Sequence, residues 1–259
     1  MVGWLEVLPL VWMGLVVAAG VALLTGAIYL TALRLGRGTR AAALASVSPG
    51  MLPPLGILFA LIVGFMAAGV WDAADRAKDA VGAEASALRS VVLLSDHLPV
   101  ADRARMRELI RDHIEHAVDD EWPAMADRRA SLSTISTPLA DALDLALRFA
   151  PRSEGESVAQ RETVESVQEA LDARRQRIIV SLSGIADVAW ASLIALAALT
   201  LLAMAFVHSA NRATAAVAMT IFATAVTVVV VMLLAQDRPF TGRLAVEPDV
   251  LEQVVPRGA

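Results

Sequence analysis

The chain has 259 residues, 57% of them hydrophobic, with a mean hydropathy of +0.60 and a formal charge of −5. That apolar share exceeds the roughly 45–50% of soluble domains, and so mild an acidity argues against a nucleic-acid partner. With no Cys, a disulfide framework, a thiolate metal site and a Cys nucleophile are all excluded.

In chain order, four stretches of about twenty residues carry no charge: Leu8–Leu33, Leu52–Trp71, Val188–Val207 and Ala213–Ala235. Each can cross ~30 Å of hydrocarbon, where a charge costs roughly 2.5–3.5 kcal/mol. The first has no basic region before it and too long an apolar run for a signal peptide, so it reads as a membrane helix. The expected fold is therefore all-α. Residues 1–71 and 188–235 supply two pairs of spans, a helical extramembrane domain occupies 72–187, and a C-terminal tail follows over 236–259.

Within the polar segment, residues 72–97 continue the second span without a break. Pro99 suits the first turn of a helix reaching Trp122, with Met106, Leu109, Ile110, Ile114 and Val118 at helical spacing. Trp122 is expected to be buried at that helix's end. Thr137 before Pro138 is a candidate N-cap, and Ser153 with Glu156 has the spacing of a capping box. A last helix from about Glu156 is expected to run straight into the third span. No stretch alternates with the strand period of two. Helices continuous with spans two and three would couple the domain rigidly to the membrane.

Several groups are candidates for function. Ile57, Leu61 and Phe65 recur every four residues on one face of the second span, and Ala60, Gly64 and Ala68 mark another with small residues. Asp72, Asp75 and Asp79 share a face just beyond it. They are either a solvated face paired with Arg76 and Lys78 or, around a symmetry axis, stacked acidic rings that concentrate cations. His113 and His116 stand among carboxylates, but no paired metal motif accompanies them. A polar helix surface is the main reading there, with pH sensing beside it.

Thr220, Thr224 and Thr227 form a hydroxyl stripe on the fourth span, bonding across helices or to their own backbone. Arg174, Arg175 and Arg177 lie close to the third span, where anionic lipid headgroups would attract them. Asp237, Arg238, Pro239 and Phe240 are expected to lock the exit from the fourth span by a local ion pair and a buried ring. No nucleophile elbow or phosphate loop occurs, and the carboxylates sit on solvated helices, so no enzyme, cofactor or metal site is expected.

Lys and Arg near the span ends number more on the domain side, which places that domain and both termini in the cytoplasm of the inner membrane. The first span alone predicts the reverse, with Glu6 before it and Arg34, Arg37 and Arg40 after it.

Phe65, Trp71-Asp72, Ala77-Lys78, Gly82 and Arg89 are spaced like the second membrane helix of bestrophin channels. The run Asp237 to Gly242 resembles the element that follows their last span. Residues 76–94, the stretch Asp120 to Met125 and that same exit motif more closely resemble the bacterial bestrophin-like domain family, over most of 52–250. The resemblance implies a homo-oligomeric ion channel, a pentamer, with lipids and inorganic ions as partners. It places Ile57, Leu61 and Phe65 in an apolar pore neck, and makes Trp71, Gly82, Arg89, Trp122 and the 237–240 run structural motif positions. Departures are visible too: Met66 and Ala68 stand where bestrophins have Arg and Asn, Trp71 replaces a Tyr, and Lys78 replaces an Arg. No acidic calcium clasp follows Gly242, so calcium gating is not implied. The alternative is a non-conducting membrane sensor or scaffold.

Overall fold

The computed structural model describes residues 10–35, 49–133, 135–209, 211–242 and 245–256. Glu6, Arg37 and Arg40, named in the charge reasoning above, and Arg243, a basic residue near the end of the fourth span, lie outside the described residues. All regular structure among the described residues is helical. The chain forms two compact units, one of residues 1–71 and 184–237, the other of 72–183 and 238–259.

The first unit contains α1 (Leu10–Leu35), the start of α2 (Leu52–Leu94), α7 (Asp187–Val207) and α8 (Arg212–Gln236). Pro53 and Pro54 fall in the opening turn of α2, where a missing N–H costs nothing, and no proline follows before Leu94. Asn211 starts α8 by accepting from the N–H groups of Ala213 (3.1 Å) and Thr214 (3.3 Å). Met13, Val17, Met66, Ala67, Val70, Trp190, Leu193, Leu233 and Leu234 form its main core. A smaller cluster joins Leu201, Ala205 and Met219. Much of the remaining helix surface is apolar and exposed, including Leu23, Val188 and Ile221. A hydrocarbon solvent accommodates such a surface, since each helix satisfies its own backbone.

The second unit takes the remainder of α2, α3 (Val100–His116), α4 (Trp122–Ala126), α5 (Thr137–Arg148), α6 (Glu154–Leu182) and the short α9 (Asp249–Glu252). Leu88, Met106, Ile110, Ile114, Leu139 and Ile178 are among its largest fully buried apolar residues. The C-terminal segment is part of this core rather than a loose tail, because Phe240, Leu251 and Val254 are buried in it. Three distant hydrogen bonds hold the segment: Trp122 Nε1 to the Val246 carbonyl (3.1 Å), Thr241 Oγ1 to the Ala126 carbonyl (3.0 Å) and Arg111 Nη2 to the Pro256 carbonyl (2.9 Å). Trp122, itself buried as expected, meets Phe240 edge to face at 5.6 Å.

Local expectations fare unevenly. Ser153 does cap α6, its hydroxyl accepting from the Glu156 N–H at 3.2 Å. At α5 the capping position is Ser136, one residue before Thr137, and its side chain makes no cap bond. The helix beginning after Pro99 does not stop at Trp122. It widens over Ala117–Glu121, where the Trp122 N–H bonds the Ala117 carbonyl five residues back, and then resumes to Ala126. The second span continues unbroken into α2's polar half, but residues 183–186 interrupt the helix between α6 and α7.

Candidate pore-lining helix and buried charge cluster

In the first unit, Met66, Ala67 and Val70 turn α2 inward to the core, which leaves the opposite faces of the helix uncovered. Ile57 is 68% exposed, Leu61 50% and Phe65 70%. Ala60, Gly64 and Ala68 are exposed as well, and a Cβ added at Gly64 would meet nothing within 4 Å. Among the described residues, neither the large-residue nor the small-residue stripe is covered by a packing partner. Trp71 is half exposed.

In the second unit, Asp72, Asp75 and Asp79 lie on exposed α2 surface. Asp72 pairs with Arg76 at 3.2 Å and Asp75 with Lys78 at 3.8 Å, while Asp79 forms no ion pair among the described residues. Exposed pairs of this kind contribute about 0–1 kcal/mol. Gly82 and Arg89 are exposed on the same helix.

The inward face of α2 in this unit carries Ala77, Val81, Leu88 and Val91, with Glu84 set among them. Glu84 is wholly buried and accepts from Arg177 Nε (2.7 Å), Arg177 Nη2 (3.1 Å) and His113 Nε2 (2.9 Å). Arg177, equally buried, also donates to Glu121 at 2.8 Å, and its guanidinium carbon stands 4.9 Å from the Trp122 ring centroid. Arg174 completes the set with Nε (2.8 Å) and Nη2 (2.5 Å) both on Glu121 Oε1.

Two carboxylates and two guanidiniums thus cancel in charge when His113 is neutral. Because ionised Glu84 only accepts, a neutral imidazole carries its proton on Nε2, and its Nδ1 accepts a hydrogen bond from the Ser136 hydroxyl at 2.9 Å. This bond draws the Ser136 side chain away from capping α5. Burial by itself pushes the Glu84 carboxyl up, but the Arg177 guanidinium and then His113 outweigh it and hold the group at about 2. Burial likewise disfavours the charged form of Arg177, and Glu84 and Glu121 reverse the balance and raise it above the ordinary arginine value.

Two expectations are corrected here. Arg174 and Arg177 do not face lipid headgroups: both are buried and bonded to carboxylates, and only Arg175 remains exposed, beside Asp172 at 3.0 Å. His113 is not on a polar surface but in the core, whereas His116 points away to Asp120 at 2.8 Å. The partners Glu84, Glu121 and Ser136 were missed. A signal for Glu84 existed, since it occupies a position of the apolar stripe 77, 81, 84, 88, 91. Among the described residues no three His, Asp or Glu side chains converge to hold a metal.

At the exit of α8, buried Asp237 accepts from the Ile185 N–H at 2.7 Å and so ties the end of that helix to the interruption before α7. Pro239 and Phe240 are buried, and Arg238 is partly so. Thr224 and Thr227 bond back to their own helix, at the carbonyls of Thr220 (2.9 Å) and Ala223 (2.8 Å).

Four helices long and apolar enough to cross a membrane, together with an all-helical polar unit, define a multi-pass membrane protein. Residues 19–251 match the Bestrophin-like domain, and the chain belongs to that family. Its fold is similar to crystal structures of a bacterial bestrophin homologue from Klebsiella pneumoniae. A leucine-to-threonine variant shares 13% identity over 92% of this chain and 96% of that one, with a TM-score of 0.67. An isoleucine-to-threonine variant gives 14%, 92%, 97% and 0.67 on the same measures. No curated protein matches the sequence.

Proposed function

We propose that the chain is one subunit of a homo-oligomeric ion channel, a pentamer by family likeness, in which α2 lines the axis. Ile57, Leu61 and Phe65 form the neck: rings of apolar side chains narrow enough to exclude water when closed and to conduct when parted. Asp72, Asp75 and Asp79 form the mouth and concentrate cations, so monovalent cations pass slightly better than anions. The polar unit faces the cytoplasm, and ion passage rather than catalysis is the activity. Trp71, Gly82 and Arg89 hold the helix against its symmetry copies.

The observation that carries this reading is the bareness of α2. Ile57, Leu61 and Phe65 are large side chains left uncovered by the described residues of their own chain, and symmetry copies would enclose them. The rival is a non-conducting sensor or scaffold. Its support is the near-absence of polar side chains from Leu52–Trp71, where only the Trp71 indole N–H can donate.

Planar-bilayer recording from reconstituted protein under a salt gradient tests the proposal. Phe65→Ala or Leu61→Ala should raise open probability severalfold. Silent bilayers, or currents indifferent to both substitutions, would remove the neck.

A further inference from the structure

The outward face of α6 changes character near its end. Every exposed residue from Arg161 to Gln176 is polar or charged, whereas the next two exposed positions, Ile179 and Leu182, are large and apolar. Five residues past Ser183, Val188 opens the uncharged run of the third span. Single apolar residues on a wet surface are ordinary. A one-way switch along a helix that leads into a span instead marks the level where water gives way to the bilayer. The connection between α4 and α5 is held at that level, because Arg128 Nη2 donates to the carbonyl of Ser183, the residue after α6, at 3.1 Å. Its base is fixed. The N–H groups of Arg129 and Ala130 both donate to the Ala124 carbonyl, at 2.7 and 3.1 Å. Arg128 has a φ of 55°, a left-handed conformation that a side chain of this size adopts only under constraint. At the other end Ser136 is pinned to buried His113.

We infer that this connection is an interfacial anchor, docked on the surface of an anionic bilayer. Leu132, 46% exposed, and Ile135, 69% exposed, enter the boundary between headgroups and acyl chains. Arg128 and Arg129, both exposed, meet the lipid phosphates. Two observations commit the surface to that occupant. The bond from Arg128 to Ser183 sets it beside the polar-to-apolar changeover of α6, at the foot of a span. Its composition, large apolar side chains next to arginines, is that of segments lying in the plane of a membrane surface. The acid of this segment, Asp127, pairs with Arg129 at 2.6 Å, but the pair is exposed, and such pairs are weak enough for a phosphate to share the guanidinium. The headgroup contact expected of Arg174 and Arg177, which are buried, thus falls to two arginines that stay at the surface. The inference needs only that the chain crosses a membrane and does not rest on the channel reading.

Because the chain has no Cys, a nitroxide can be attached at single sites through Leu132→Cys or Ile135→Cys. Val100→Cys, exposed past the far end of α2, serves as the reference. The intact protein is reconstituted either in mixed phosphatidylglycerol and phosphatidylcholine or in phosphatidylcholine alone. Collisions of the label with oxygen, which concentrates in hydrocarbon, are compared with collisions with a neutral nickel chelate, which stays in water. In the anionic bilayer the oxygen-to-nickel ratio at both loop sites should exceed that at Val100 about fivefold or more. It should fall about twofold in phosphatidylcholine alone, and Arg129→Gln should remove that lipid dependence. Two label sites guard against one substitution disturbing the loop. Ratios at both sites equal to that at Val100 would place the loop in water, and labels that neither reagent reaches would place it against another copy. Either result, or equal ratios in the two bilayers, would overturn the inference.

Discussion

Glu84 of α2 and Arg177 of α6, both without solvent exposure, are joined by two hydrogen bonds of 2.7 and 3.1 Å. A buried pair of this kind is costly to break rather than intrinsically stabilising, since the survivor is left charged in an apolar core. Glu84→Gln should lower unfolding stability by about 3–5 kcal/mol, as should Arg177→Met. The double variant should recover part of that loss, because no lone charge remains at the Glu84 end. Denaturant titration of the detergent-solubilised protein measures all three.

The same pair sets an acid limit. Glu84 is held at about 2 against an ordinary value of 4.5, a depressed carboxyl. Its contribution is therefore complete above about pH 4.5 and is lost progressively as pH falls toward and through about 2. Thermal midpoints taken across that window should fall for the wild type, and the fall should be shallower in Glu84→Gln.

Phe240 fills the core beside Trp122. Phe240→Ala should cost about 3–5 kcal/mol and loosen the C-terminal segment, which limited proteolysis around residues 245–256 would reveal.

Asp237 is the acceptor for the Ile185 N–H. Asp237→Ala leaves that donor unpaired and should cost about 1–3 kcal/mol. Asp237→Asn keeps a carbonyl oxygen in place and should restore most of the loss in the same unfolding assay.

If the acidic face of α2 governs ion entry, Asp79→Asn should act more strongly than Asp72→Asn, because Asp72 already has Arg76 at 3.2 Å while Asp79 forms no ion pair among the described residues. Reversal potentials under a salt gradient should move toward zero cation preference, most visibly at low ionic strength, where screening is weakest.

The helices were legible because their signals are local. Uncharged runs of span length, the Ser153 cap and the spacing of Met106 to Ile114 each depend on neighbours within a few residues. The charge cluster was not legible in the same way. Arg174, Arg175 and Arg177 look alike in sequence, and a basic residue near a span reads as a headgroup contact until its partner is known. Glu121 lies 53 residues from Arg174 in the chain, and Glu84 lies 93 from Arg177. Ser136, one residue before Thr137, gives no local sign of its role because the histidine that claims its hydroxyl sits on another helix.

Hydrophobicity and length alone determined that this chain is helical and crosses a membrane: unpaired backbone in hydrocarbon leaves only helices or a closed barrel, and uncharged runs of about twenty residues without strand alternation select helices. Only the tertiary structure decided which ionisable groups leave water. Burial of a charge is affordable only where opposite charges and hydrogen bonds converge in space, and that convergence among α2, α3 and α6 has no counterpart in local sequence.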